Sequence, residues 1–194
     1  MTDAKLSLEE QWFHEKEARQ REQLREGLER KAAEENRKRE IAGNLGTDNQ
    51  AVIDRIAALG LDGDVVSVLH LLPMVQVAWA DGSVSVSERR TILEAVEAAG
   101  VKPGSVAATF IGSLLESRPS ETLLNEILAI VRDILAIQGL KPNSLLEACQ
   151  HVATASGGLL GLGDKVSSEE AEAIHKVALA LGPAADARVS KDLG

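Results

Sequence analysis

Cysteine is nearly missing from this chain: Cys149 stands alone among 194 residues. No disulfide can close within it, and no Cys-rich zinc module can be built. Aromatic side chains are almost as scarce, with two Phe, two Trp and no Tyr, so a core has to be assembled from Leu, Ile, Val and Ala. An excess of basic charge is also lacking. The formal net charge is -9 and the sequence pI about 5.0, which excludes a general nucleic-acid binder, because phosphate affinity comes from clustered Lys and Arg. No apolar run approaches ~18 residues, and Met1-Thr2-Asp3-Ala4-Lys5 lacks an apolar signal core, so a cytoplasmic protein is expected. No GxxxxGK[ST] phosphate loop, HExxH zinc helix or nucleophile with a nearby base is present. The chain is therefore expected not to be an enzyme.

What is present divides by charge. Residues 1–41 hold eleven acidic and ten basic residues, a net of -1, and the remaining 153 hold nineteen and eleven, a net of -8. The first part has no proline and only Gly27, and it is rich in the strong helix formers Glu, Arg, Lys, Gln and Ala. Charges recur at helical spacing, as in Glu15 to Arg19 and Glu35 to Arg39, each opposite pair contributing only ~0.2–0.5 kcal/mol. Its apolar residues (Leu6, Leu8, Trp12, Phe13, Leu24, Leu28, Ile41) are too sparse to bury a whole helix face. The pattern predicts a charged helical arm over residues 1–45, helical and poorly packed on the rest over 8–41, with Trp12 and Phe13 as an adhesive end. Trp12, Phe13, Leu24 and Leu28 are the candidate partner-binding residues.

After residue 45 the pattern changes. Gly43-Asn44-Leu45-Gly46-Thr47 reads as a break, and Asp48 or Asn49 caps a short helix through Leu59. Residues 46–61 are thus a short helix and linker. Val65 to Ala80 is strongly apolar and reads as one buried helix kinked at Pro73. Further helices are expected over 87–99, 103–116, 120–138, 144–156 and 168–181, with a helical domain spanning 62–185 and a polar tail over 186–194. No alternating apolar–polar strand of useful length occurs. The expected class is all-α.

An internal echo lies within that domain. At an offset of 82 residues, Val84 matches Val166, Ser85 Ser167, Glu88 Glu170, Ile92 Ile174 and Gly100 Gly182, as expected of a two-fold helical arrangement. Ser85-Val86-Ser87-Glu88 and Ser167-Ser168-Glu169-Glu170 both read as S-x-x-E capping boxes, and this structural role is the favoured one. The competing reading is metal binding. Gly82 to Glu88 mirrors the second half of an EF-hand loop, but Val77 and Trp79 stand where its first oxygen ligands belong, which excludes a tight site. A looser, weakly bound divalent cation such as Ca2+ would need Asp81, Glu88, Asp164 and Glu170 to converge.

Leu71-Leu72-Pro73-Met74-Val75-Gln76-Val77-Ala78-Trp79-Ala80-Asp81-Gly82, with Val84-Ser85 and Glu88-Arg89, resembles the signature of the TerB-like family, which is associated with bacterial tellurite resistance and stress response. The resemblance covers about residues 62–182. It implies two related helical halves, a non-enzymatic binding or scaffold role, and a divalent-metal site near the Asp-Gly turn. In the second half Gly163-Asp164-Lys165 departs from the pattern, which puts an equivalent ligand set there in doubt. The arm carries another likeness: Glu9-Glu10-Gln11-Trp12-Phe13 and Arg21-Glu22-Gln23-Leu24-Arg25-Glu26-Gly27-Leu28 are similar to the inhibitory helix of the F1-ATPase inhibitor family. There the spacing from Phe13 to Leu24 is about one turn too long and the family's His-rich continuation is missing. The implied partner is a protein, at the inner membrane face or a rotary ATPase.

Of the remaining residues, His14 is expected in solvent, His70 at a core or helix flank, and His175 half-buried. Cys149 and His151 are two apart and do not share a helix face. Gly157 to Gly163 lacks Lys and reads as a surface turn or a small membrane or partner contact rather than a phosphate loop.

Overall fold

Helices form where strong helix formers run without interruption and stop where a glycine takes up positive φ or a proline removes a donor. The structure, a computed structural model, describes residues 2–156, 166–183, 185, 186 and 189. Every regular element among the described residues is helical, so the chain is all-α.

The first helix, α1 (Thr2–Leu45), is 44 residues long, or ~66 Å at 1.5 Å per residue. It runs through Gly43, where a break was expected, and ends at Gly46, whose φ is +62°. The reason lies one turn apart: Ile41 is fully buried and Leu45 is 8% exposed. Both are drawn into the core, so the backbone between them stays helical. This corrects the expectation of an arm poorly packed along its whole length. Its last turns belong to the body.

Asn49 caps α2 (Gln50–Ala58) by accepting a hydrogen bond from the Val52 N–H. The segment expected as one kinked helix over 65–80 is three pieces: α3 (Gly63–Val66), a 3-10 turn over Leu69–Leu71, and α4 (Leu72–Ala78). Pro73 explains the correction. Its ring would clash with the carbonyl four residues back, that of Leu69, and it brings no N–H. Placed in the first turn of α4, it gives up only a donor that would lack an intrahelical partner anyway.

The remaining helices are α5 (Val86–Ala98), α6 (Val106–Glu116), α7 (Glu121–Gln138), α8 (Asn143–Ser156) and α9 (Ser168–Leu181). The expected start of α6 at Pro103 moves to Val106, because Ser105 caps it through the Ala108 N–H while Gly104 turns with φ +77°.

Helix α4 occupies the centre, touching α5, α6, α7, α8 and α9, and Met74, Val75 and Val77 on it are buried. Each fully buried aliphatic side chain stabilises the fold by roughly 1.5–3 kcal/mol relative to exposure. One core runs from Ile41 and Leu45 through Val52, Ile53 and Ile56 to the helices after residue 62. The base of the arm is held by more than apolar contact. Lys38 Nζ lies 2.9 Å from Asp54 and 3.2 Å from Glu34, and Gln138 Nε2 donates to the Leu45 carbonyl at 3.2 Å. Gly63 lets α3 approach α1 closely: a Cβ there would stand 2.9 Å from the Cβ of Glu40.

Candidate functional site

The two turns singled out by the echo are built alike. Ser85 Oγ accepts from the Glu88 N–H at 3.2 Å while Glu88 Oε2 accepts from the Ser85 N–H at 2.7 Å. In the other copy Ser167 Oγ accepts from the Glu170 N–H at 3.1 Å, and Glu170 Oε2 from the Ser167 N–H at 2.7 Å. Both are complete capping boxes, at the starts of α5 and α9. Val84 and Val166 both pack on the core, and Ile92 and Ile174 are both fully buried in it. A difference from an ordinary surface cap is depth: Glu88 is 2% exposed and Glu170 4%. Burial pushes the Glu88 carboxyl above its usual range; its bonds to Ser85 oppose this, and the charges of Glu170 and Asp81 add to the rise.

Asp81 is exposed, and its Oδ1 accepts from the Ser83 N–H at 2.9 Å and the Ser83 hydroxyl at 3.3 Å, closing an Asx turn under Gly82. Of the four residues considered for a cation, Asp164 lies outside the described residues. Among the described residues no group of three or more His, Cys, Asp or Glu is placed to hold a metal ion. Residues on either side of the turn serve α6 instead. Trp79 Nε1 donates to the Leu114 carbonyl at 2.8 Å and Arg89 Nη2 to the Leu115 carbonyl at 3.1 Å. These are carbonyls of the last helical turn, which lack intrahelical partners. The Trp-x-Asp-Gly…Glu-Arg stretch thus joins the starts and ends of three helices.

The arm presents the other candidate residues. Trp12, Phe13, Leu24 and Leu28 are 55%, 57%, 65% and 59% exposed. The Trp12 and Phe13 rings meet edge to face with centroids 5.0 Å apart, and Lys16 Nζ lies 4.9 Å from the Trp12 ring centre. At 100° per residue, Phe13, Leu24 and Leu28 fall within about 60° of one another. Among the described residues the ion pairs along the exposed arm are Glu15–Arg19, Glu22–Arg25 and Arg25–Glu29, with over half of each side chain exposed, and pairs so solvated are individually weak. The expected Glu35–Arg39 pair is not among them.

Other residues take quieter places. His70 lies beside an apolar groove whose lining includes Leu45 and Leu135, and desolvation lowers its pKa. His175 is half-buried, its Nδ1 3.6 Å from Asp186 Oδ1. Cys149 is fully buried and its thiol pKa is pushed up to about 12. Gly157 to Gly163 lies outside the described residues.

A cleft of about 350 Å³ opens where α4, α7 and α9 meet, lined by Gln76, Trp79, Arg118, Glu121, Glu169 and Lys176 among others. Its residues come from three separate stretches of chain, so no local spacing announces it. The base of the arm did carry a signal, since Ile41 and Leu45 stand at i, i+4. No helix among the described residues is long and apolar enough to cross a membrane. No family model matches the chain, and neither curated proteins nor solved structures yield a match.

Proposed function

We propose that this chain is a non-enzymatic binding protein of the TerB-like kind, a helical body that holds out a helical arm to a protein partner. The observation that carries the reading is the exposure of Trp12, Phe13, Leu24 and Leu28 on a helix anchored at Ile41 and Leu45. Trp and Phe are enriched at the centres of protein interfaces, and a rigid helix with apolar residues on one face suits a groove on a partner. The TerB-like signature at residues 71–89 supports a bacterial stress-response setting for the body. A photo-crosslinking amino acid at position 13 of the full chain, in cells of its native host, should yield one dominant protein adduct. Leu24→Asp should abolish it. A smear no different from that given by a crosslinker at exposed Glu29 would remove the reading.

The continuous helix through residues 9–28, with Phe13, Leu24 and Leu28 exposed on it, favours one second reading: an inhibitor that inserts this helix into a rotary ATPase. Adding the full chain to bacterial F1 would then slow ATP hydrolysis, and Phe13→Asp would restore it. Unchanged hydrolysis rates would dismiss this alternative and leave the first reading intact.

A further inference from the structure

The cleft between α4, α7 and α9 contains a polar group without a partner. Gln76 lines it, is largely buried, and its Oε1 is out of solvent with no hydrogen bond. Leaving a buried amide unpaired is unfavourable, and the last torsion of a Gln side chain turns readily, so either end of the amide can be offered to a ligand. Around it stand Trp79, the amide of Asn125, the carboxylates of Glu121, Glu169 and Glu172, and the cations Arg118 and Lys176. Lys176 is already paired with Glu172 at 2.8 Å. The Trp79 N–H is already given to the Leu114 carbonyl at 2.8 Å, which leaves the indole ring rather than its donor for contact. The chain after residue 41 carries an excess of acidic over basic residues, and such a field draws cationic ligands toward it.

We infer that this cleft receives a cationic side chain, Arg or Lys, from a partner protein. The guanidinium or ammonium group lies against the Trp79 ring and donates to Gln76 and to Glu121 or Glu169. Arg118 is then left for a carbonyl or carboxylate beside the bound residue. The inference rests on the reading of the chain as a binding protein and gives it a second contact, on the body rather than the arm.

The chain supplies its own control, because it has two tryptophans, Trp79 in the cleft and Trp12 on the arm. The probe is N-acetyl-arginine N-methylamide titrated into the isotope-labelled full chain, with the Trp79 indole N–H and Gln76 amide resonances followed by NMR. Saturable shifts at Trp79 and Gln76 with Trp12 unmoved are expected. The uncharged citrulline analogue should bind at least about tenfold more weakly, a difference of about 1.4 kcal/mol. Gln76→Leu keeps the volume and removes an unpaired amide, so it should fold normally and weaken arginine binding severalfold. Glu169→Gln, at an exposed site, should do the same. An unmoved Trp79 resonance, equal binding of the citrulline analogue, or equal binding by Gln76→Leu overturns the inference. Should that happen while the position-13 adduct persists, only the cleft is dismissed and the arm reading stands.

Discussion

Trp12 and Ile41 lie on one continuous helix and in two different solvents. Around Ile41 the helix is held by α2, α3 and the core, by Lys38 bridging to Asp54, and by Gln138 reaching the Leu45 carbonyl. Around Trp12, among the described residues, it has its own backbone bonds, helix-forming side chains, solvated charge pairs and the local contacts of Trp12 with Phe13 and Lys16. Isolated helices are marginal in water because nucleation is costly; here the folded base acts as the nucleus from which the exposed turns extend. The same secondary structure thus rests on packing at one end and on propensity at the other. The first end is about stability, the second about what it can touch.

The largest test of that contrast is a pair of truncations. Ile41→Ala should lower the unfolding free energy by ~2–5 kcal/mol, while Leu24→Ala should stay within ~0.5 kcal/mol. Urea denaturation measures both, and similar losses would mean the arm is packed along its length. Limited proteolysis sharpens the boundary. Cleavage should fall between residues 10 and 36 and leave a resistant body that begins close to Lys38. Protection of those residues would show that the arm docks on its own body.

Smaller effects separate the two capping boxes from any ion. Ser85→Ala and Ser167→Ala should each cost ~0.5–2 kcal/mol, equally with and without millimolar calcium. A cost that appears only with calcium would turn the turn into a metal site. The smallest effect is in pH. Because burial raises the Glu88 pKa above its ordinary 4.5, its contribution to stability is full below that value. It is lost as pH rises through the folded-state pKa. Glu88→Gln removes this dependence, so relative to the parent it should gain stability between pH 4.5 and 7. A constant difference across that range would show that Glu88 pays no burial cost as an ion.

Much of this was legible in the residues. Charged, proline-free sequence gave α1, Ser-x-x-Glu gave both capping boxes, and the offset of 82 residues gave their equivalence. What the sequence concealed follows from packing. Gly43 looks like a breaker until Ile41 and Leu45 are both found in the core. Val65 to Ala80 reads as a helix because its all-round apolarity carries no period, and only Pro73 marks where it restarts. The depth of Glu88 and Glu170 was also hidden, because a cap motif looks the same at a surface and under one. The cleft at Gln76 depends on three helices meeting, which no local pattern encodes.

The sole thiol gives the fold a chemical silence. Peroxides and disulfides are attacked by thiolate, and Cys149, fully buried with its pKa pushed up to about 12, offers almost none at neutral pH. The folded body can therefore sit in an oxidising milieu without forming sulfenic acid or mixed disulfides. Any oxidation at that sulfur would record a moment when the body had come open.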